Sequence, residues 1–144
     1  MIRIVIDTNI FVRYLIRPSA AIKELLEVRW LSDQVQVVTA PELVAELTEV
    51  LQRPKILAYI QPQEAQVISE TIRRKAELLP PLGTVPPYTR DPKDDKFVAC
   101  AIIGNAQYLV SVDEDILVLQ QVGSVQMVTP FTLLPLLDQT VGFN

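Results

Sequence analysis

The spacing of the apolar runs constrains this chain most. Residues Ile2–Ile6, Val35–Thr39, 108–112 and 125–129 form short, nearly continuous apolar stretches, and a brief fifth lies at 78–79. Strands covered on both faces read this way, whereas strands wet on one face alternate. Longer segments of helical period lie between them. Residues 9–16 are followed by 19–31, with Ser19 as the cap after Pro18. Pro41 opens "PELVAELTEVLQR", Pro62 opens "PQEAQVISETIRRKAELL", and each fits a first helical turn. A Pro-rich loop, "PPLGTVPPYTRDP", leads into a helix over 93–103 that Gly104 and Asn105 can end. Segments 114–121 and 131–138 complete the set. Alternating β and α segments predict one α/β domain over residues 1–144, with a parallel sheet of about five strands between helices. Right-handed crossovers then bring the C-terminal strand ends to one side, where ligands of open α/β sheets bind.

Composition narrows the chemistry. The chain has no histidine, so imidazole metal ligands, Ser-His-Asp triads and Cys-His pairs are all excluded. Catalysis would have to run on carboxylates, hydroxyls, amides, Lys, Arg or a bound ion. A formal charge of −4 gives no global basic footprint for nucleic acid. One cysteine cannot close an internal disulfide, which suits a reducing compartment. The longest apolar run, 97–103, is too short to cross a bilayer. Asp7 interrupts the N-terminal apolar run, so no secretory leader is expected and a cytoplasmic setting is.

The acids are the informative residues. Asp7 ends the first strand run and Asp113 follows "YLVSV", so both fall on the ligand side of the sheet. Each also has a plainer reading as the cap of the next helix. In "PELVAELTEVLQR", Leu43, Val44, Leu47, Val50 and Leu51 form the buried stripe; Glu46 lies at its margin, while Glu42 and Glu49 turn toward solvent. In "RDPKDDKFVACAIIGN", Asp94 and Asp95 occupy the first turn, where the helix dipole favours anions. Asp95 shares a face with Val98, Ala99 and Ile102, and Asp94 the side of Phe97, Val98 and Ala101; whether Asp94 or Asp91 joins the site stays open. Inward carboxylates gathered at one sheet edge repel one another and imply a compensating cation. With oxygen ligands only, that cation is hard, Mg²⁺ or Mn²⁺. Such a cluster suits phosphodiester hydrolysis.

The same residues resemble the PIN (PilT N-terminal) domain nucleases along essentially the whole chain. "VIDTNIFV" is similar to the family's opening strand and first acid, placing Asp7 there with Thr8 and Asn9 beside it. "PELVAELTEVLQRPK" resembles the second-acid helix and puts that acid at Glu46. "RDPKDDKFVACAI" resembles the third-acid helix, with the acid at Asp95. "YLVSVDEDIL" is similar to a T-x-D-x-D element, with Ser111 in place of threonine, Asp113 as fourth acid and Asp115 following. The resemblance implies catalytic roles for Asp7, Glu46, Asp95 and Asp113, and Mg²⁺ or Mn²⁺ held by Asp7, Asp95 and Asp113. It also implies strand order centred on Ile2–Ile6, RNA as substrate, and the toxin role of a VapC-like toxin–antitoxin pair. A cognate antitoxin and a homodimer or higher assembly follow from it as expected partners, with "LLPLL" near the C-terminus supplying interface or core.

RNA needs positive charge near the acids. Arg13 and Arg17, one turn apart after Asp7, and Arg90, before Asp91, are the candidates for phosphate contact; each is also readable as solvated surface charge. Two other classes compete. A receiver-like phosphotransfer domain also places acids at strand ends and binds Mg²⁺, but needs an acid pair after the first strand, where this chain has "DTN". A PIN-like module without catalysis would only bind RNA or a partner, and the presence of all four acids speaks against it.

Overall fold

The computed structural model describes residues 1–141 of the chain; the last three positions of the expected domain lie outside the described residues. Strand β1 (Ile2–Ile6) leads through α1 (Thr8–Ile16) and α2 (Ala20–Lys23), which continues as a π-helical segment Glu24–Trp30, into β2 (Val35–Thr39). Helices α3 (Pro41–Leu51), α4 (Pro54–Leu57) and α5 (Pro62–Lys75) follow, then the short strand β3 (Glu77–Leu78). After the Pro-rich loop come a 3₁₀ turn, Pro92–Asp94, α6 (Asp95–Ile103) and β4 (Tyr108–Val110). The chain closes with α7 (Glu114–Leu117), β5 (Gln121–Val122), β6 (Val125–Val128) and α8 (Pro130–Val141).

The strands form one sheet in the order β3-β2-β1-β4-β6-β5, centred on β1 and β4. All pairings are parallel except β5 with β6. The sheet thus has one strand more than expected. The sixth comes from the end of the predicted 114–121 helix, which stops at Leu117; Gln121 and Val122 instead pair back on Val125 and Gln126 through a turn at Gly123 (φ 58°).

The continuous apolar strands are buried on both faces, as their pattern requires. Ile4 and Ile6 of β1 point into a core with Ile10, Phe11, Trp30 and Leu47, while Val5 points into a second core with Val38, Phe97, Val98 and Leu109. Helix α6 covers one face; α1, the π-helical segment, α5 and α8 cover the other. Gly104 is the C-cap of α6, at a place where a Cβ would lie 2.6 Å from Val38 Cγ1, and Asn105 follows it with a positive φ of 53°. In "LLPLL", Leu133 and Leu137 are buried, and Leu134 and Leu136 pack against the same core. Among the described residues no helix is long and apolar enough to cross a membrane.

After β1 the chain builds β2 on one side, then returns to lay β4 on the other. The crevice outside the C-terminal ends of β1 and β4 is therefore the topological switch point of the sheet.

Candidate active site

Asp7 and Asp113 leave the sheet at that crevice. The backbone N–H of Asp7 still donates to Val110 O at 3.0 Å, so the ladder fixes its position. Asp7 caps α1 weakly, accepting from Asn9 N at 3.5 Å, and Asp113 caps α7, accepting from Asp115 N at 2.9 Å. Capping does not account for the rest. Asp7 is buried, and its Oδ2 accepts from Ser111 Oγ at 2.7 Å. Ser111, with no exposed surface, also accepts from the backbone N–H of Asp113 at 2.9 Å. Burial pushes Asp7 up to about 6, against the pull of the Ser111 hydrogen bond; the charges of Asp113 and Glu46 push the same way as burial.

Helix α3 brings Glu46 to the same place. Its Oε2 accepts from Thr8 Oγ1 at 2.5 Å and its Oε1 lies 2.7 Å from Lys96 Nζ. Thr8 is buried, one residue beyond Asp7. Glu42, expected in solvent, is half buried: its Oε2 accepts from the backbone N–H groups of Leu82 (2.7 Å) and Gly83 (3.3 Å), tying α3 to the Pro-rich loop.

The 3₁₀ turn and the start of α6 place the remaining acids, and here the placement of Asp95 differs from the expectation. Its Oδ1 accepts from Thr89 N at 2.7 Å and lies 2.9 Å from Thr89 Oγ1, so the carboxylate clasps the preceding loop. Asp94 faces the crevice instead. It is buried, and its Oδ2 has no hydrogen-bond partner. One carboxylate oxygen from each of Asp91, Asp94 and Asp115 lies within 4.8 Å of the others. Burial, with the charges of Asp113, Asp7, Asp91 and Asp115, pushes Asp94 up to about 7. The physical reason is local geometry. A helical wheel drawn through 94 and 95 assumes 3.6 residues per turn, but residues 92–94 wind as 3₁₀.

The predicted cations divide. Arg90 is exposed and pairs with Asp115. Arg13 and Arg17 line a cavity of about 150 Å³ with Ser19, Val112, Thr129 and Phe131, beside the ends of β4 and β6. Cys100 is buried and burial pushes its thiol up to about 12, so it packs as a small apolar residue rather than serving as a nucleophile. Sequence reasoning missed Lys96 and Thr89. A lysine in the first turn of a helix opposes the dipole, and that was the available signal for Lys96.

A buried carboxylate oxygen with no donor, surrounded by other carboxylates, is a place for a cation, and the all-oxygen set fits a hard divalent ion. The fold and these acids define a class. A family model described as PIN domain matches residues 3–115, and the chain belongs to that family. The match spans every acid named above. PIN domains are generally nucleases that use divalent metals. A comparison with curated proteins returned no match.

Proposed function

We propose that this chain is a metal-dependent endoribonuclease, acting as the toxin of a toxin–antitoxin pair. The observation that carries the hydrolytic reading is Asp94 Oδ2, buried and unpartnered among the charges of Asp7, Asp91, Asp113 and Asp115. Only a cation balances that arrangement in ionised form. Asp94, Asp91 and Asp115 would hold it, with Asp7 and Asp113 alongside. When bound, Mg²⁺ or Mn²⁺ supplies an activated water and neutralises developing charge on the phosphate.

The chain's own residues do the rest. Ser111 fixes the relative positions of Asp7 and Asp113, and Thr8 and Lys96 fix Glu46. The Thr89–Asp95 clasp holds the loop that carries Arg90 and Asp91. Arg13 and Arg17, on the cavity beside the strand ends, give the RNA backbone a path to the acids. RNA rather than DNA, the toxin role, a cognate antitoxin, self-association and a cytoplasmic setting rest on the family resemblance. The test is cleavage of a single-stranded RNA, and of the matching DNA, with Mg²⁺ or Mn²⁺ against a chelator control. Induced expression, with and without Asp7→Asn, examines the toxin role. No chelator-sensitive RNA cleavage by the wild type would defeat the enzymatic reading.

A further inference from the structure

RNA is a polyanion, and an acidic crevice repels it unless a cation faces the phosphate next to the reacting one. Among the described residues, two cations pair with the acids of the site. Arg90 is 63% exposed and sits at the rim on Asp115. Lys96 is different: its side chain is only 21% exposed, and its ammonium is fixed from several directions. Nζ lies 2.7 Å from Glu46 Oε1, donates to Lys93 O at 2.6 Å, and sits 5.1 Å from the centre of the Phe97 ring. An ammonium has three N–H donors, and these contacts use two.

Its position is also against local preference. Lys96 stands in the first turn of α6, at the positive end of the helix dipole. Glu46 holds it there, and Glu46 is itself held by Thr8, so that neither oxygen of the carboxylate is free of a protein partner. Glu46 is close enough to act electrostatically on Asp7. The pair thus keeps a partly buried ammonium at the edge of the acid group in a defined place.

Resting on the nuclease reading above, we propose that Lys96 is the phosphate-contacting cation of this site. Glu46 positions it, and its remaining N–H donates to a non-bridging oxygen of the RNA phosphate beside the acids. Glu46 then acts through Lys96 rather than as an ion ligand.

The experiment compares wild type, Lys96→Met and Lys96→Arg. Cleavage of a fluorescent single-stranded RNA with Mn²⁺ is followed across about 50 to 200 mM salt. Mn²⁺ binding without RNA is measured in parallel by calorimetry. Lys96→Met should lower kcat/KM roughly 10- to 100-fold, as loss of one charged donor does. The slope of log kcat/KM against log salt should become shallower by ~0.7, the value of one single-strand phosphate contact. Mn²⁺ affinity should hold or rise, since a positive charge has left. Lys96→Arg should recover part of the rate, and it decides the matter if the Met variant does not fold. Unchanged cleavage in Lys96→Met overturns the proposal. So does a loss of cleavage that tracks a loss of Mn²⁺ binding, because Lys96 would then serve the ion site. A wild type that binds Mn²⁺ but cuts no RNA overturns the nuclease reading, and this assignment with it.

Discussion

Ser111 Oγ lies 2.7 Å from Asp7 Oδ2, and this buried contact joins the ends of the two central strands. The same hydroxyl receives the backbone N–H of Asp113 at 2.9 Å. One oxygen therefore sets the spacing of two acids 106 positions apart in the chain, counted from Asp7 to Asp113. Alanine at Ser111 removes the donor to a buried carboxylate and the acceptor for a backbone N–H. The expected cost is about 1–3 kcal/mol of stability. Cleavage should fall roughly 10- to 100-fold, as for other residues that orient metal-binding acids. Threonine keeps the hydroxyl and should retain most of the activity. Denaturant melts and initial rates of Ser111→Ala and Ser111→Thr check this; equal rates in wild type and the Ala variant would show that the spacing is fixed by the backbone alone.

Asp7→Asn separates a cap from a chemical group. Asparagine caps a helix about as well as aspartate, and the cap on Asn9 is long at 3.5 Å. Activity should drop by orders of magnitude, because a charge beside the ion is gone. In a chelator, the melting temperature should hold or rise, since repulsion with Asp113 and Glu46 is relieved. A variant that melts lower yet cuts as fast as wild type would leave Asp7 as a cap only.

The buried acids also make the metal-free protein sensitive to pH, with a definite sign. Burial raises Asp7 from 3.8 to about 6 and Asp94 from 3.8 to about 7. Folded chains keep protons that unfolded chains have released, so the slope of stability against pH is negative here. The contribution is fully present below about pH 4 and is lost as pH rises through 6 to 7. For Asp7 alone this is on the order of 3 kcal/mol. Urea melts in a chelator should show falling stability from pH 5 to 8, and Mn²⁺ affinity should rise over the same interval as the competing protons leave. Metal-free stability that stays level across this range would contradict the carboxylate environment described.

Strand-end acids are legible because period and topology decide them together. Ile2–Ile6 and the 108–112 run had to be buried strands, and parallel connections had to put Asp7 and Asp113 on one side. Glu46 is legible at the margin of an apolar stripe, where it is found half buried. Glu42 is not, because its partners are the backbone N–H groups of Leu82 and Gly83, donated by a loop with no period to read. The β5–β6 hairpin is hidden for a similar reason. Its strands are two and four residues long, Gln120 takes a positive φ of 60° just before the first of them, and the turn between them rests on Gly123. Neighbouring acids at a helix start are the hardest case, since the first turn need not have the helix's own pitch.

Asp94 and Asp95 bring that case to a measurement. The 3₁₀ turn Pro92–Asp94 directs Asp94 into the crevice and leaves Asp95 to the Thr89 clasp. Asp94→Asn should weaken Mn²⁺ binding at least about tenfold and abolish cleavage, because it removes the carboxylate that completes the group with Asp91 and Asp115. It should also stabilise the metal-free protein at neutral pH, as one buried, repelled charge is removed. Asp95→Asn keeps an oxygen for the Thr89 N–H and should bind Mn²⁺ within a few-fold of wild type. Asp95→Ala breaks the clasp and should cost about 1–2 kcal/mol, with the loop carrying Arg90 and Asp91 exchanging amide hydrogens faster. Calorimetric Mn²⁺ titration of the three variants, without RNA, distinguishes the two acids. If Asp95→Asn lost the ion while Asp94→Asn kept it, Asp95 would be the ligand despite its clasp, and the crevice would have to rearrange on binding.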